Sequence, residues 1–166
     1  MDMNFSSSVC EYNCGSPVYC VSVLSSSRFI AGSDDRKVRL WSKDTTSGCI
    51  RTFTGHEGYV ECLAVVSPSL FLSGSDDMTI RLWNIESGTC IRVYSGHTKV
   101  VMSITMLRDG RLASGSYDDS LRFWNTNTGE CSCVLNGHTD RVYGVVQLSN
   151  GILVSCSRDQ TLRVWQ

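Results

Sequence analysis

Apolar and polar positions change over short distances along this chain, and nowhere at the spacing of an amphipathic helix. Residues 59–66, YVECLAVV, are mostly apolar and predict a strand covered on both faces. Ser67-Pro68-Ser69 turns the chain. A second strand is predicted over residues 70–75, ended by a tight turn at Asp76-Asp77. A third, over 79–84, sets Ile80 and Leu82 against Arg81 and Trp83. After Glu86-Ser87-Gly88 a fourth follows over 90–94. The same order recurs, with first strands predicted over 18–23, 101–106 and 142–148. Asp109-Gly110 and Asn150-Gly151 are hairpin-type turns, and 45–48 and 127–129 turn into fourth strands.

The units are copies of one another. Residues 31–41 read AGSDDRKVRLW, 73–83 SGSDDMTIRLW, 114–124 SGSYDDSLRFW and 155–165 SCSRDQTLRVW. Trp41, Trp83, Trp124 and Trp165 are spaced by 42, 41 and 41 residues, and Gly55-His56, Gly96-His97 and Gly137-His138 keep the same beat. A period of about 40–45 residues with Gly-His and a strand-ending Trp marks one propeller blade per repeat. On these motifs the chain resembles the WD-repeat β-propeller family over nearly its whole length. The family's Trp-Asp pair is here Trp-Ser, Trp-Asn, Trp-Asn and Trp-Gln, a departure that leaves the fold intact. The resemblance implies an all-β propeller of four-stranded antiparallel blades, with four repeats at about 13–54, 55–95, 96–136 and 137–166. Residues 4–12 stand in the phase of a fourth strand, which implies an N-terminal strand that completes a last blade.

Each Gly-His histidine lies 21 residues before an aspartate: His56 before Asp77, His97 before Asp118, His138 before Asp159. Ser73, Ser114 and Ser155 stand four residues before those aspartates, and Trp83, Trp124 and Trp165 six after. The resemblance implies a buried network in each set, running from Trp to Ser, His, Asp and the turn backbone. A buried carboxylate needs several donors, and an imidazole can pass a hydrogen bond from one side to the other. Ser, His and Asp also spell a hydrolase triad. Catalysis, however, needs one exposed nucleophile at one pocket, whereas three sets at a fixed period describe scaffold. Loss of one such histidine is expected to cost about 1–3 kcal/mol. The first repeat keeps Asp35 and Trp41 but has Ala31 and Cys14 in the Ser and His places, so it is expected to be the least locked.

Composition narrows the function classes. With 15 basic and 16 acidic residues among 166 and no basic run, broad attraction to nucleic acid or to a membrane is not expected. No apolar run approaches the roughly 18 residues of a membrane span. The start, MDMNFSSSVCEY, lacks the charge and apolar core of a secretory signal, which points to the cytoplasm or nucleus. Nine cysteines include no Cys-x-x-Cys pair; Cys49, Cys90 and Cys131 share one phase, Cys20 and Cys62 another, as reduced thiols on strands would. No metal and no cofactor is expected.

Function is then expected on the face that carries the loops before the first strands and the turns before the repeated Asp, where the family binds proteins or peptides. By phase that face holds Tyr19, Tyr59, Glu61, Val100, Met102, Arg141 and Tyr143, with Asp34, Asp76, Tyr117 and Arg158 just before the turn aspartates. These residues differ between repeats, and tyrosine, methionine and arginine are the mix of an interface centre. The sequence therefore reads as a non-catalytic protein-interaction scaffold. An enzyme with a site in the propeller channel would need further His, carboxylate or metal-ligand groups. Propellers have about 4–8 blades, so the expected assembly is a homodimer forming one eight-bladed ring. A self-closed ring of four and a fragment of a larger WD-repeat protein are the alternatives.

Overall fold

The computed structural model describes residues 10–45 and 48–166, and the statements below concern those residues. They contain fifteen strands and no helix. Strands β1 (Val18–Val23), β2 (Arg28–Ser33), β3 (Val38–Ser42) and β4 (Cys49–Phe53) form the first sheet, in that order. The second is β5 (Val60–Ser67), β6 (Leu70–Ser75), β7 (Ile80–Asn84) and β8 (Cys90–Tyr94). The third is β9 (Val101–Met106), β10 (Leu112–Ser116), β11 (Ser120–Trp124) and β12 (Cys131–Asn136). The fourth has three strands, β13 (Val142–Gln147), β14 (Leu153–Ser157) and β15 (Leu162–Trp165). Neighbouring strands are antiparallel throughout, so each sheet is a blade.

The pattern-derived strands hold within a residue or two. β5 starts at Val60 and β7 at Ile80 rather than at Tyr59 and Thr79, and β13 stops at Gln147 rather than Leu148. Trp83 is as buried as Ile80, so the expected alternation on β7 is not an inside and an outside. Both blade faces are covered, as in a stack of sheets.

Each turn before a third strand places a side-chain-bearing residue in the left-handed region: Arg36, Met78, Asp119 and Gln160, at φ 66 to 70°. The aspartate before each one supports this turn. Asp77 Oδ1 accepts from the Thr79 backbone N–H at 3.0 Å, and Lys37, Ser120 and Thr161 repeat the bond.

The blades are joined by close seams. β1 packs on β5, β5 on β9 and β9 on β13. Gly32, Gly74 and Gly115 admit Val60, Val101 and Val142 of the following blade. A Cβ at these glycines would stand 2.6, 2.8 and 2.7 Å from the valine Cγ1 atoms. Cys20 and Cys62 donate across the seam to the carbonyls of Val60 and Val101, each at 3.5 Å. In the fourth blade the pair is reversed. Cys156 stands on the second strand opposite Gly144 on the first, and a Cβ on Gly144 would lie 3.0 Å from Cys156 Sγ.

The four blades form an open arc. No packing of β13 on β1 comparable to the three seams is present among the described residues. Val18 and Val21 on β1 are 46% and 66% exposed, whereas Val60, Val101 and Val142, in the phase of Val18, are fully buried. The expected alternative of a self-closed ring is therefore not this arrangement. Residues 4–9 of the expected N-terminal strand lie outside the described residues. Residues 10–12 are not in a strand, and Tyr12 packs on Phe29 and Trp41, both at 5.5 Å between ring centroids. Phe53 sits in the same way on Phe71 and Trp83 at the next blade.

Candidate functional site

The frame of the site is a relay in each of the last three blades. Trp83 Nε1–H donates to Ser73 Oγ at 2.8 Å, and the Ser73 hydroxyl lies 2.6 Å from His56 Nε2. His56 Nδ1 lies 2.7 Å from Asp77 Oδ2, which also accepts from the Glu57 backbone N–H at 3.0 Å. One tautomer satisfies every group: Ser73 donates to Nε2 and Nδ1–H donates to the carboxylate. Trp124, Ser114, His97 and Asp118 repeat the chain, with 2.8, 2.7 and 2.8 Å between successive partners. Trp165, Ser155, His138 and Asp159 do so at 2.9, 2.7 and 2.7 Å. Burial opposes ionisation of Asp77, Asp118 and Asp159, but the hydrogen bonds from His56, His97 and Thr161 with their neighbours outweigh it. All three carboxyls are held well below the usual carboxylate range.

The first blade is built differently. With Cys14 in the histidine place, Asp35 takes a bidentate hold on Arg39, at 3.1 and 2.5 Å, and this lowers its carboxyl. Arg81, Arg122 and Arg163 share the phase of Arg39 but belong to blades whose aspartate faces histidine. Sequence reasoning passed over Arg39; the signal was an aspartate left without its donor. Ala31 leaves a second gap, because buried Trp41 Nε1 has no hydrogen-bond partner. Ala31→Ser is expected to supply it and to raise stability by about 1 kcal/mol, read as a higher midpoint in urea. An unchanged or lower midpoint would show that the added hydroxyl gains nothing there.

Burial quiets the two thiols at the first two seams. Burial pushes Cys20 up to about 12 and Cys62 well above the ordinary range. All nine cysteines are unpaired in the structure. Among the described residues no group of three His, Cys, Asp or Glu side chains has a geometry able to hold a metal ion.

One end of the arc gathers the variable residues. The backbone N–H of the residue before each turn aspartate bonds the carbonyl of the loop ahead of the first strand. The pairs are Asp34 to Pro17, Asp76 to Tyr59, Tyr117 to Val100 and Arg158 to Arg141, at 2.9–3.1 Å. These bonds put both sets on one rim. Tyr19 meets Tyr59 at 6.0 Å across the first seam. Across the third, Tyr117 lies edge-on to Tyr143 at 5.7 Å and carries the Arg141 guanidinium at 4.6 Å from its ring. Tyr19, Tyr59 and Tyr143 are 48%, 44% and 41% exposed.

Charge divides this rim. Asp34, Glu61 and Asp76 give the first two blades their carboxylates, and burial with the neighbouring Asp76 pushes the Glu61 carboxyl up. Arg141 and Arg158 stand on the fourth, with Arg158 Nε 3.9 Å from Asp140. Met102 lies half-buried between the two groups. An open pocket of about 460 Å³ lies elsewhere, between the third and fourth blades, lined by Phe123, Leu135, Leu153 and Trp165 with Arg111 and Cys133.

Comparison with known proteins gives three results. The WD domain, G-beta repeat family matches residues 6–42, 47–84, 88–125 and 129–166. The crystal structure of the WD40 β-propeller domain of Doa1 is similar at TM-score 0.85 and 30% identity, over 90% of this chain and 50% of that one. The chain thus spans half the length of that domain. The crystal structure of the computationally designed Ika4 protein is similar at TM-score 0.81 and 24% identity, over 92% of both chains. The search of curated proteins returned no match.

Proposed function

The chain belongs to the WD-repeat family, with four copies of the repeat over residues 6–166, and on that premise we propose that it is a non-catalytic scaffold that binds proteins or peptides. The rim of Tyr19, Asp34, Tyr59, Glu61, Asp76, Met102, Tyr117, Arg141, Tyr143 and Arg158 is the binding face. The observation that carries the reading is the pair of tyrosine contacts on that rim, outside the relay of every blade and partly open to solvent. Large rigid side chains beside arginine are what an interface centre uses. The three histidines, by contrast, are engaged with serine and aspartate inside the blades. The split of charge favours a partner with basic groups toward the first two blades and acidic groups toward the fourth.

The working form in this reading is two chains in one eight-bladed ring. Two observations support it. The arc leaves apolar faces open at both ends, and it overlays on half of a known propeller domain at TM-score 0.85. A ring of four would need a tighter curve.

The test combines mass with capture. Light scattering on the purified chain is expected to give twice 18.4 kDa. Tyr117→Ala with Arg141→Ala is expected to keep that mass and the melting temperature while losing at least tenfold in partner capture. Equal capture by the variant would remove the rim from the reading, and a folded species of 18.4 kDa would remove the ring.

A further inference from the structure

We propose that the seam between the second and third blades holds a small-molecule site. Its ligand is an uncharged, mainly apolar compound of about ten non-hydrogen atoms with one hydroxyl or N–H at its end. The site lies at the opposite end of the blades from the tyrosine rim and does not depend on it.

Two seams built by the same rules differ here. At the first seam Ile85, just after β7, packs inward at 2% exposure, in one cluster with Ile30, Leu40 and Phe53. Beside it the Arg28 guanidinium reaches across the seam to the Glu86 carboxylate, at 3.9 Å. At the second seam Thr126 stands in the place of Ile85, and Leu70 and Asn127 stand in the places of Arg28 and Glu86. The smaller side chain and the loss of the ion pair leave an open space of about 290 Å³.

The lining selects the chemistry of the ligand. Val66, Leu72 and Leu82 of the second blade and Met106 of the third form the walls. None of the described residues around the space carries a charge. An ionised ligand would lose its hydration there and gain no counter-ion, so the ligand is neutral. The volume is about twice that of an apolar cavity that takes benzene, which sets the size. The unbranched thioether of Met106 lets one wall adapt to a flat ring.

The polar groups are gathered on one side. Tyr94 Oη–H donates to the Thr126 carbonyl at 3.2 Å, and Thr126 Oγ1–H donates to the Gly110 carbonyl at 3.0 Å. These bonds fix the turns of the third blade against the second without help from a ligand, so the site is formed in advance. Each carbonyl keeps a second lone pair, and the exposed Asn127 carboxamide stands beside them. A hydroxyl or N–H on the ligand meets acceptors at this side only, which orients it.

Naphthol is the probe, and naphthoate, its ionised counterpart, is the control. Titration with naphthol is expected to be saturable, with a Kd on the order of 0.1 mM. It is expected to shift the Met106 methyl resonance in a chain labelled at methionine. Naphthoate is expected to bind roughly tenfold or more weakly. Thr126→Ile puts back the side chain of the first seam. It is expected to remove naphthol binding with the melting temperature unchanged or higher. Leu70→Arg with Asn127→Glu restores the ion pair at the surface and is expected to raise the Kd for naphthol roughly tenfold.

Binding that does not saturate would overturn the site, as would shifts at Met78 or Met102 in place of Met106. So would equal binding by Thr126→Ile and the unaltered chain. Equal affinity for naphthoate would overturn the neutral ligand. If Thr126→Ile does not fold, the double variant decides by the same comparison. Partner capture through the rim is expected to be the same in every variant, so the two readings fail separately.

Discussion

His97→Ala is expected to lower the stability of the protein by about 3 kcal/mol, the upper end of the range for stranding buried hydrogen-bonding groups. His97 is held between Asp118 at 2.8 Å and Ser114 at 2.7 Å, and its side chain is fully buried. Removing the ring leaves a carboxylate without its strongest donor and a serine hydroxyl without its acceptor. Trp124, which donates to that serine and meets the His97 ring at 5.7 Å, loses a packing partner as well. The matching change in the first blade, Cys14→Ala, is the control. Asp35 there is held by Arg39 and should not notice. Guanidinium denaturation of both variants decides the matter: a loss below about 1 kcal/mol for His97→Ala, or equal losses for the two, would show that the relay is ornament and the packing alone holds the blade.

The second large effect lies at a seam. Gly74→Cys is expected to cost about 3 kcal/mol through overpacking. A Cβ there would stand 2.6 Å from Cys62 Sγ and 2.8 Å from Val101 Cγ1. Cys62→Gly alone is expected to cost about 2 kcal/mol, from lost volume and the lost bond to Val101. Together the two changes swap the pair as in Gly144 and Cys156 of the fourth blade, which has no following blade in the chain. The swap relieves the contact with residue 62 but leaves the new Cβ 2.8 Å from Val101 Cγ1, so the double variant is expected to cost about 4 kcal/mol, a coupling of about 1 kcal/mol. A thermodynamic cycle in reducing buffer reads it. If the double variant loses the sum of the singles, the reversed pair of the fourth blade is not an equivalent solution to the same gap.

Much of this was legible in the residues because a propeller repeats its errors as well as its rules. Trp41, Trp83, Trp124 and Trp165 set the period, and β1, β6, β8 and β9 fell where the pattern put them. Partner changes were not legible. Arg39 looks like Arg81 and Arg122, and only the geometry shows it turning to Asp35 once histidine and serine are gone. The alternation on β7 misled because a blade has neighbours on both faces, and Trp83 is buried between Phe53 and His56. The rim residues could be named because they vary where the frame does not. Their contacts, such as Arg141 over Tyr117, join residues 24 apart across a seam and leave no periodic trace. The reversed Cys156 and Gly144 pair is invisible until the strand register is known.

The four left-handed residues Arg36, Met78, Asp119 and Gln160 have a consequence for how this protein can change over generations. Glycine would take that backbone at no steric cost, whereas a side chain there costs on the order of 1 kcal/mol. The chain carries that load four times, so it holds an untapped margin of heat resistance in positions that touch no core. Arg36, Met78 and Gln160 are exposed and Asp119 is half-buried, so these positions can exchange side chains without disturbing the turn, since the aspartate beside each holds it closed. They are where the rim can drift toward new partners, and where glycine would trade that freedom for a higher melting point.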